Sequence, residues 1–276
     1  MIKVADGSGF CSGVKRAIGL AFSSSEKGKN IYTLGPIIHN PQVVSLLKEK
    51  GVLAVSSIDN IPSGIVIFRS HGVLPDDYKK AKEKDLTILD GTCPIVARVQ
   101  SLAKSLFEDG YTVVILGDPN HPEVKAIVGN APSSIVIKKP EDAMLIKKKK
   151  IGLISQTTQS MGEFKKIASI ILDRVHCLKI YNTICKAVLR LQEKTISLAE
   201  KSDVFFVIGG KTSANTKRLF DLSCKINPNV YHVERKDEIK PQWLTGKKRI
   251  GITAGTSTPP WVIDEVVEKI KLITQN

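Results

Sequence analysis

The 276-residue chain predicts an α/β protein of three similar small domains, each with a roughly four-stranded parallel sheet, in a pseudo-threefold arrangement. Three observations carry this. The stretch Cys11-x-x-Val14-x-Arg16 recurs as Cys93-x-x-Val96-x-Arg98 and as Cys185-x-x-Val188-x-Arg190, at separations of 82 and 92 residues. Self-similarity of this kind marks a repeated structural unit. Within every copy, short apolar runs alternate with helical patterns, the signature of parallel strands joined by right-handed crossovers. Each copy also ends its strands in glycine or small polar residues, where open α/β sheets gather their ligands.

The elements follow in order. A strand is expected in "MIKVAD" before the first cysteine, and its counterparts are "LTILD" and "LKIYN". A helix follows each cysteine. In the first, Val14, Ala17, Ile18, Ala21 and Phe22 fall at i, i+3, i+4, i+7 and i+8, one face of a helix. Strands ending in glycine loops come next: "IYTLGPIIHN", "TVVILGDPNH" and "VFFVIGGKTS". Counting 28 residues from each cysteine reaches His39, His121 and Ser213. Short β-like runs follow in "VLAVSS", "IVIKK" and "VYHVE". The final strands of the copies, "GIVIFRSHG", "KIGLISQTT" and "RIGITAGTS", close on Ser70-His71, Thr157-Thr158 and Thr256-Ser257.

Composition narrows the function. Hydrophobic residues make up 42% and charged residues 25%, an ordinary globular balance. No apolar run approaches the roughly 20 residues of a membrane span. No export signal is visible, so a cytoplasmic protein without membrane contact is expected. The five cysteines are odd in number and widely spaced, which suits thiols or metal ligands better than disulfides. The net charge of +14 is mostly scattered lysine. Lysine-rich surfaces also occur in thermophile proteins. The run Lys147 to Lys150 is expected as a solvated loop before an apolar strand. Aromatics at 5% supply no base-stacking platform, so nucleic acid is not the expected partner.

The stretch "ADGSGFCSGVKRAI" resembles a dinucleotide loop, but Ser12 stands where the third glycine belongs and Cys11 opens the helix. A helix N-terminus favours an anion, here a thiolate in place of a phosphate. Three such thiolates suit either zinc with a water or an iron–sulfur cluster. Zinc sites usually draw their cysteines from one short segment, whereas Cys11, Cys93 and Cys185 lie far apart. That spacing favours a central iron–sulfur cluster at the junction of the domains, with one iron of a four-iron cube left open. Cys177 and Cys224 fall outside the repeat and are expected to be buried. His39, His71, His121, Thr157, Ser213, Asn215 and Ser257 form a polar ring suited to a phosphate-bearing guest. His176 and His232 lie outside these loops. In "HPEV", Glu123 would be costly beside a phosphate unless protonated, as a proton donor would be. A first-turn acid favouring the helix dipole is the other role open to it. Two further readings stand beside the cluster enzyme. One is a zinc-dependent hydrolase acting on a phosphorylated small molecule, with Glu123 as base. The other is a basic nucleic-acid-binding protein with structural thiols.

Over essentially the whole chain, "GFCSGVKRAI", "HNPQVV", "SHGV", "TCPIVARVQ", "HPEV", "SQTT", "NTICKAVLRLQ" and "AGTSTPP" together resemble the LytB-type reductases. These are the 4-hydroxy-3-methylbut-2-enyl diphosphate reductases of the non-mevalonate isoprenoid pathway. The resemblance implies a [4Fe-4S] cluster held by Cys11, Cys93 and Cys185, with the substrate's hydroxyl at the open iron. It implies a diphosphate site at His39, His71, His121, Thr157, Ser213, Ala214, Asn215 and Ser257. Catalytic roles fall to Glu123, Thr157 and His121. The family reads Ser-Ser-Asn or Ser-Ala-Asn where this chain has Ser213-Ala214-Asn215, so only a backbone N–H is available at Ala214. The implied products are isopentenyl and dimethylallyl diphosphates, and the electron donor would be a small acidic ferredoxin or flavodoxin. Expected domains are residues 12–92, 93–184 and 185–276, with the strand in residues 1–11 joining the third sheet.

Overall fold

In the computed structural model, which describes residues 1–26, 28 and 30–275, three four-stranded sheets are each parallel throughout. The first holds β2 (Ile31–Leu34), β3 (Val52–Val55), β4 (Ile65–Phe68) and β5 (Thr87–Asp90), in the order β3-β2-β4-β5. The second holds β6 (Thr112–Leu116), β7 (Ile135–Ile137), β8 (Lys150–Ser155) and β9 (Cys177–Ile180), in the order β7-β6-β8-β9. The third holds β10 (Val204–Ile208), β11 (Val230–Val233), β12 (Ile250–Ala254) and, at its edge, β1 (Ile2–Val4), in the order β11-β10-β12-β1. The order is the same three times. In each sheet one edge strand leads to a cysteine of the repeat: β5 to Cys93, β9 to Cys185 and β1 to Cys11.

Helices α1 (Ser12–Ser25), α4 (Pro94–Glu108) and α8 (Lys186–Glu200) begin one residue after Cys11, Cys93 and Cys185. The second helices of the copies are α2 (Pro41–Glu49), α5 (Pro122–Asn130) and α9 (Ala214–Cys224). The remaining helices are α3 (Pro75–Glu83), α6 (Pro140–Ala143), α7 (Met161–Leu172) and α10 (Pro260–Gln275). Proline opens many of them because its fixed φ suits the first helical position, where no N–H partner is needed.

The middle strands are near-continuous apolar runs, since helices cover both faces of a parallel sheet. All five residues of β10 and of β12 are buried, as are Val113 to Leu116 of β6. Val204, Phe206, Ile252, Val262 and Val266 form one core, and Val99, Leu106, Val113, Ile115 and Ile154 another.

Two compact units are distinguished along the chain. One comprises Met1–Lys15, Ile38–Val43 and the chain from Lys186 onward, and it carries the sheet of β1 and β10 to β12. The other comprises Arg16–Ile37 and Val44–Cys185 and carries the other two sheets.

Two expectations need correction. Cys177 and Cys224 are exposed, not buried. Cys177 opens β9, an edge strand paired on one side alone, and Cys224 ends α9 at its solvent side. The lysine run is not all loop: Lys150 is the first residue of β8, its Nζ donating to the carbonyl of Asp109 at 2.6 Å and lying 4.2 Å from the Tyr111 ring centre. Among the described residues, no helix is long and apolar enough to cross a membrane.

Candidate active site

The three repeat cysteines occupy the same local setting. Each directly precedes a helix and is half-buried. Each donates its backbone N–H to a loop that follows an inner strand: Cys11 to the carbonyl of Thr256 (3.2 Å), Cys93 to Ser70 (3.0 Å) and Cys185 to Thr157 (2.9 Å). These acceptors lie just past β12, β4 and β8, equivalent places in the three sheets. One backbone arrangement thus sets each cysteine at the carboxyl edge of its sheet. A donor set of soft thiols, alike in presentation and partly open, fits iron–sulfur ligation.

In the unit that holds β6 and β8, the chemistry centres on Glu123. It is the second residue of α5 and only 2% exposed. His121 caps that helix, its Nδ1 accepting the N–H of Glu123 at 3.2 Å. Thr157, just beyond β8, grips the carboxylate twice: its N–H donates to Oε1 (2.6 Å) and its hydroxyl to Oε2 (2.9 Å). Both donors favour the charged form, yet burial outweighs them and pushes the Glu123 pKa up to about 7. The rings of His71 and His121 meet edge to face, 5.2 Å between centres.

In the other unit, Ser213 caps α9, its hydroxyl accepting from the Thr216 N–H at 3.4 Å. Ser257 donates to Ser213 Oγ at 3.2 Å. Asn215, 3% exposed, has no partner for its Oδ1 or its Nδ2 among the described residues. A buried amide left unpaired is costly, so its presence beside a helix N-terminus argues for a polar guest. Ala214 is the first residue of α9, placing its N–H among the open donors of the first turn. His39 stands just before Asn40, whose Oδ1 accepts the N–H of Val43 at 3.0 Å and so caps α2. Gly210 leaves room for this backbone, since a Cβ there would strike the His39 carbonyl.

The predicted residues therefore fall into two local groups. His71, Cys93, His121, Glu123, Thr157 and Cys185 belong to one unit, and Cys11, His39, Ser213, Ala214, Asn215 and Ser257 to the other. Two side chains went unnoticed in the sequence. Gln156 is 1% exposed and accepts the Asp118 N–H at 3.1 Å, tying the loop before His121 to the end of β8. Arg69, beside Ser70, lies over Gly35, and burial lowers its pKa. The one signal in the sequence was the glycine at position 35, which has no Cβ to strike the guanidinium and takes up a φ of +71°.

A family model described as LytB protein matches residues 2–271. A 4-hydroxy-3-methylbut-2-enyl diphosphate reductase of Geotalea uraniireducens is 44% identical over 270 residues, 97% of this chain and 96% of that protein. One from Pelobacter propionicus is 45% identical over 264 residues, 95% of this chain and 94% of that protein. Among solved structures, (E)-4-hydroxy-3-methyl-but-2-enyl diphosphate reductase, described as the terminal enzyme of the non-mevalonate pathway, has a TM-score of 0.71 at 41% identity, covering 98% of this chain and 99% of that one. The Plasmodium falciparum E-1-hydroxy-2-methyl-but-2-enyl-4-diphosphate reductase has a TM-score of 0.91 at 26% identity, covering 99% of this chain and 88% of that one.

Proposed function

The chain belongs to the LytB family, and from that premise we propose that it reduces 4-hydroxy-3-methylbut-2-enyl diphosphate to isopentenyl and dimethylallyl diphosphates, the last step of the non-mevalonate route. The reaction takes two electrons and two protons and releases the substrate's hydroxyl as water. Cys11, Cys93 and Cys185 would hold a [4Fe-4S] cluster, which when bound supplies electrons and a Lewis-acidic iron.

The observation that carries this reading is the buried carboxyl of Glu123, poised near neutrality in the grip of Thr157. A hydroxide leaves poorly, and an acid that is half protonated at working pH makes it leave as water. The Thr157 hydroxyl can turn from donor to acceptor. When Glu123 Oε2 carries a proton it donates to Thr157 Oγ1, and the threonine O–H is freed to face the substrate hydroxyl. The Thr157 N–H stays on Oε1 throughout and holds the carboxyl in place. His121, as cap of α5, fixes the turn that carries Glu123.

The diphosphate end suits the other polar groups. Ser213, Ser257 and Asn215 offer neutral donors, the first turn of α9 offers N–H groups at the Ala214 position, and His39, His71 and His121 add imidazole N–H donors. The net charge of +14 would steer both an anionic substrate and a small acidic electron donor, a ferredoxin or flavodoxin.

Anaerobic purification and turnover test the proposal. The protein should be brown, hold about four irons with sulfide, and with a chemical reductant convert the allylic diphosphate to the two products. A stoichiometric zinc with no iron, or loaded protein that leaves the substrate unchanged, would refute it.

A further inference from the structure

The arginine of the repeated Cys-x-x-Val-x-Arg motif has no part in the chemistry above, yet Arg16 makes two long-range bonds. From α1 its Nη1 donates to the carbonyl of Thr92 at 2.8 Å and its Nη2 to the carbonyl of Asp90 at 2.9 Å. Those carbonyls flank Gly91 in the turn between β5 and Cys93. The N–H groups of that turn are held as well. The Gly91 N–H donates to the Phe68 carbonyl (2.9 Å) and the Cys93 N–H to the Ser70 carbonyl (3.0 Å). The Thr92 N–H donates to Asp90 Oδ1 at 2.8 Å, and the Tyr78 hydroxyl donates to Asp90 Oδ2 at 2.6 Å. Gly91 admits no side chain, because a Cβ would strike the Phe68 carbonyl and crowd the Ala17 methyl of α1.

The turn before Cys185 is tied differently. There Thr183 Oγ1 accepts the Ser155 N–H (2.8 Å) and donates to the Ser155 carbonyl (2.7 Å). At Cys93 a guanidinium spans two carbonyls instead, a bridge that its planar fork makes and a lysine ammonium on a flexible stem does not reproduce.

We infer that Arg16 is a positioning residue for Cys93, bracing the turn that aims this thiol. The inference rests on the cofactor assignment above for its purpose, but the brace itself is readable without the cluster. In apoprotein, Arg16→Met should speed alkylation of Cys93 by about tenfold, followed by mass spectrometry, and leave Cys185 at its wild-type rate. In loaded protein the same variant should release iron to a chelator about tenfold faster than wild type. Arg16→Lys, which keeps the charge and the stem, should show a smaller rise in Cys93 labelling and decides the matter if Arg16→Met does not fold. Wild-type labelling of Cys93 in these variants overturns the inference, and so does an equal rise at Cys93 and Cys185, which would signal general loosening. A wild-type protein that takes up no iron, with Cys93 still responding to Arg16, would sink the cofactor assignment and leave the brace standing.

Discussion

Glu123 is an acid held between two opposing influences, and its pH behaviour follows from which one wins. Turnover driven by a chemical reductant should be level below about pH 7 and fall toward tenfold per pH unit above it, as the proton is lost. Glu123→Gln keeps the shape but has no proton to give. Its turnover should drop by about 10²-fold with substrate affinity retained and the alkaline limb gone; near-normal turnover would reduce Glu123 to a helix-start acid. Stability carries the opposite face of the same shift. The folded protein holds this proton more tightly than an unfolded chain does, where the value is near 4.5. The contribution is therefore complete below about pH 4.5 and is lost as pH rises through about 7. Urea unfolding at pH 4.5 and pH 8 should show wild type losing about 3 kcal/mol relative to Glu123→Gln over that interval. The motif "HPEV" left two roles open for this residue. The structure gives it the position of a first-turn acid and also a partner 34 residues away, a pairing that no local pattern contains.

At the level of the element, α9 separates stability from binding within three residues. Ser213 works for the helix as its cap, whereas Asn215 has polar atoms with no partner among the described residues. Ser213→Ala should cost about 1 kcal/mol in melts without substrate and also weaken substrate binding. Asn215→Ala should weaken binding while leaving the substrate-free protein as stable as before or slightly more so, since an unsatisfied buried amide is removed. Calorimetric melts paired with titration of the diphosphate substrate distinguish the two; a large stability loss in Asn215→Ala would mean that the amide serves the fold. The places of His121 and Ser213 were legible because they recur at one offset from their cysteines, whereas their service as helix caps was seen only in the structure. The exposure of Cys177 and Cys224 was not legible. Burial on an edge strand or at a helix end depends on what packs alongside, and β9 sits at the rim of its sheet.

For the whole molecule, the repeat in the sequence becomes one strand order used three times, with each repeat cysteine bonded to an equivalent loop. Cys11→Ser, Cys93→Ser and Cys185→Ser should each abolish stable iron binding, while Cys177→Ser and Cys224→Ser should retain it by iron and sulfide analysis. Full iron in any of the first three would break the assignment. The three copies were readable because short motifs survive at matching places. The tie of Arg16 to the turn before Cys93 was not, since it joins residues 74 and 76 positions apart. The pairing of β1 with β12 aligns Ile2 with Ile250. On the ribosome, at roughly 5–20 residues per second, β1 must wait tens of seconds for β12 to be made. Its unpaired edge is open to wrong partners for that whole time, so a strand synthesised long before its partner is among the last to find its place.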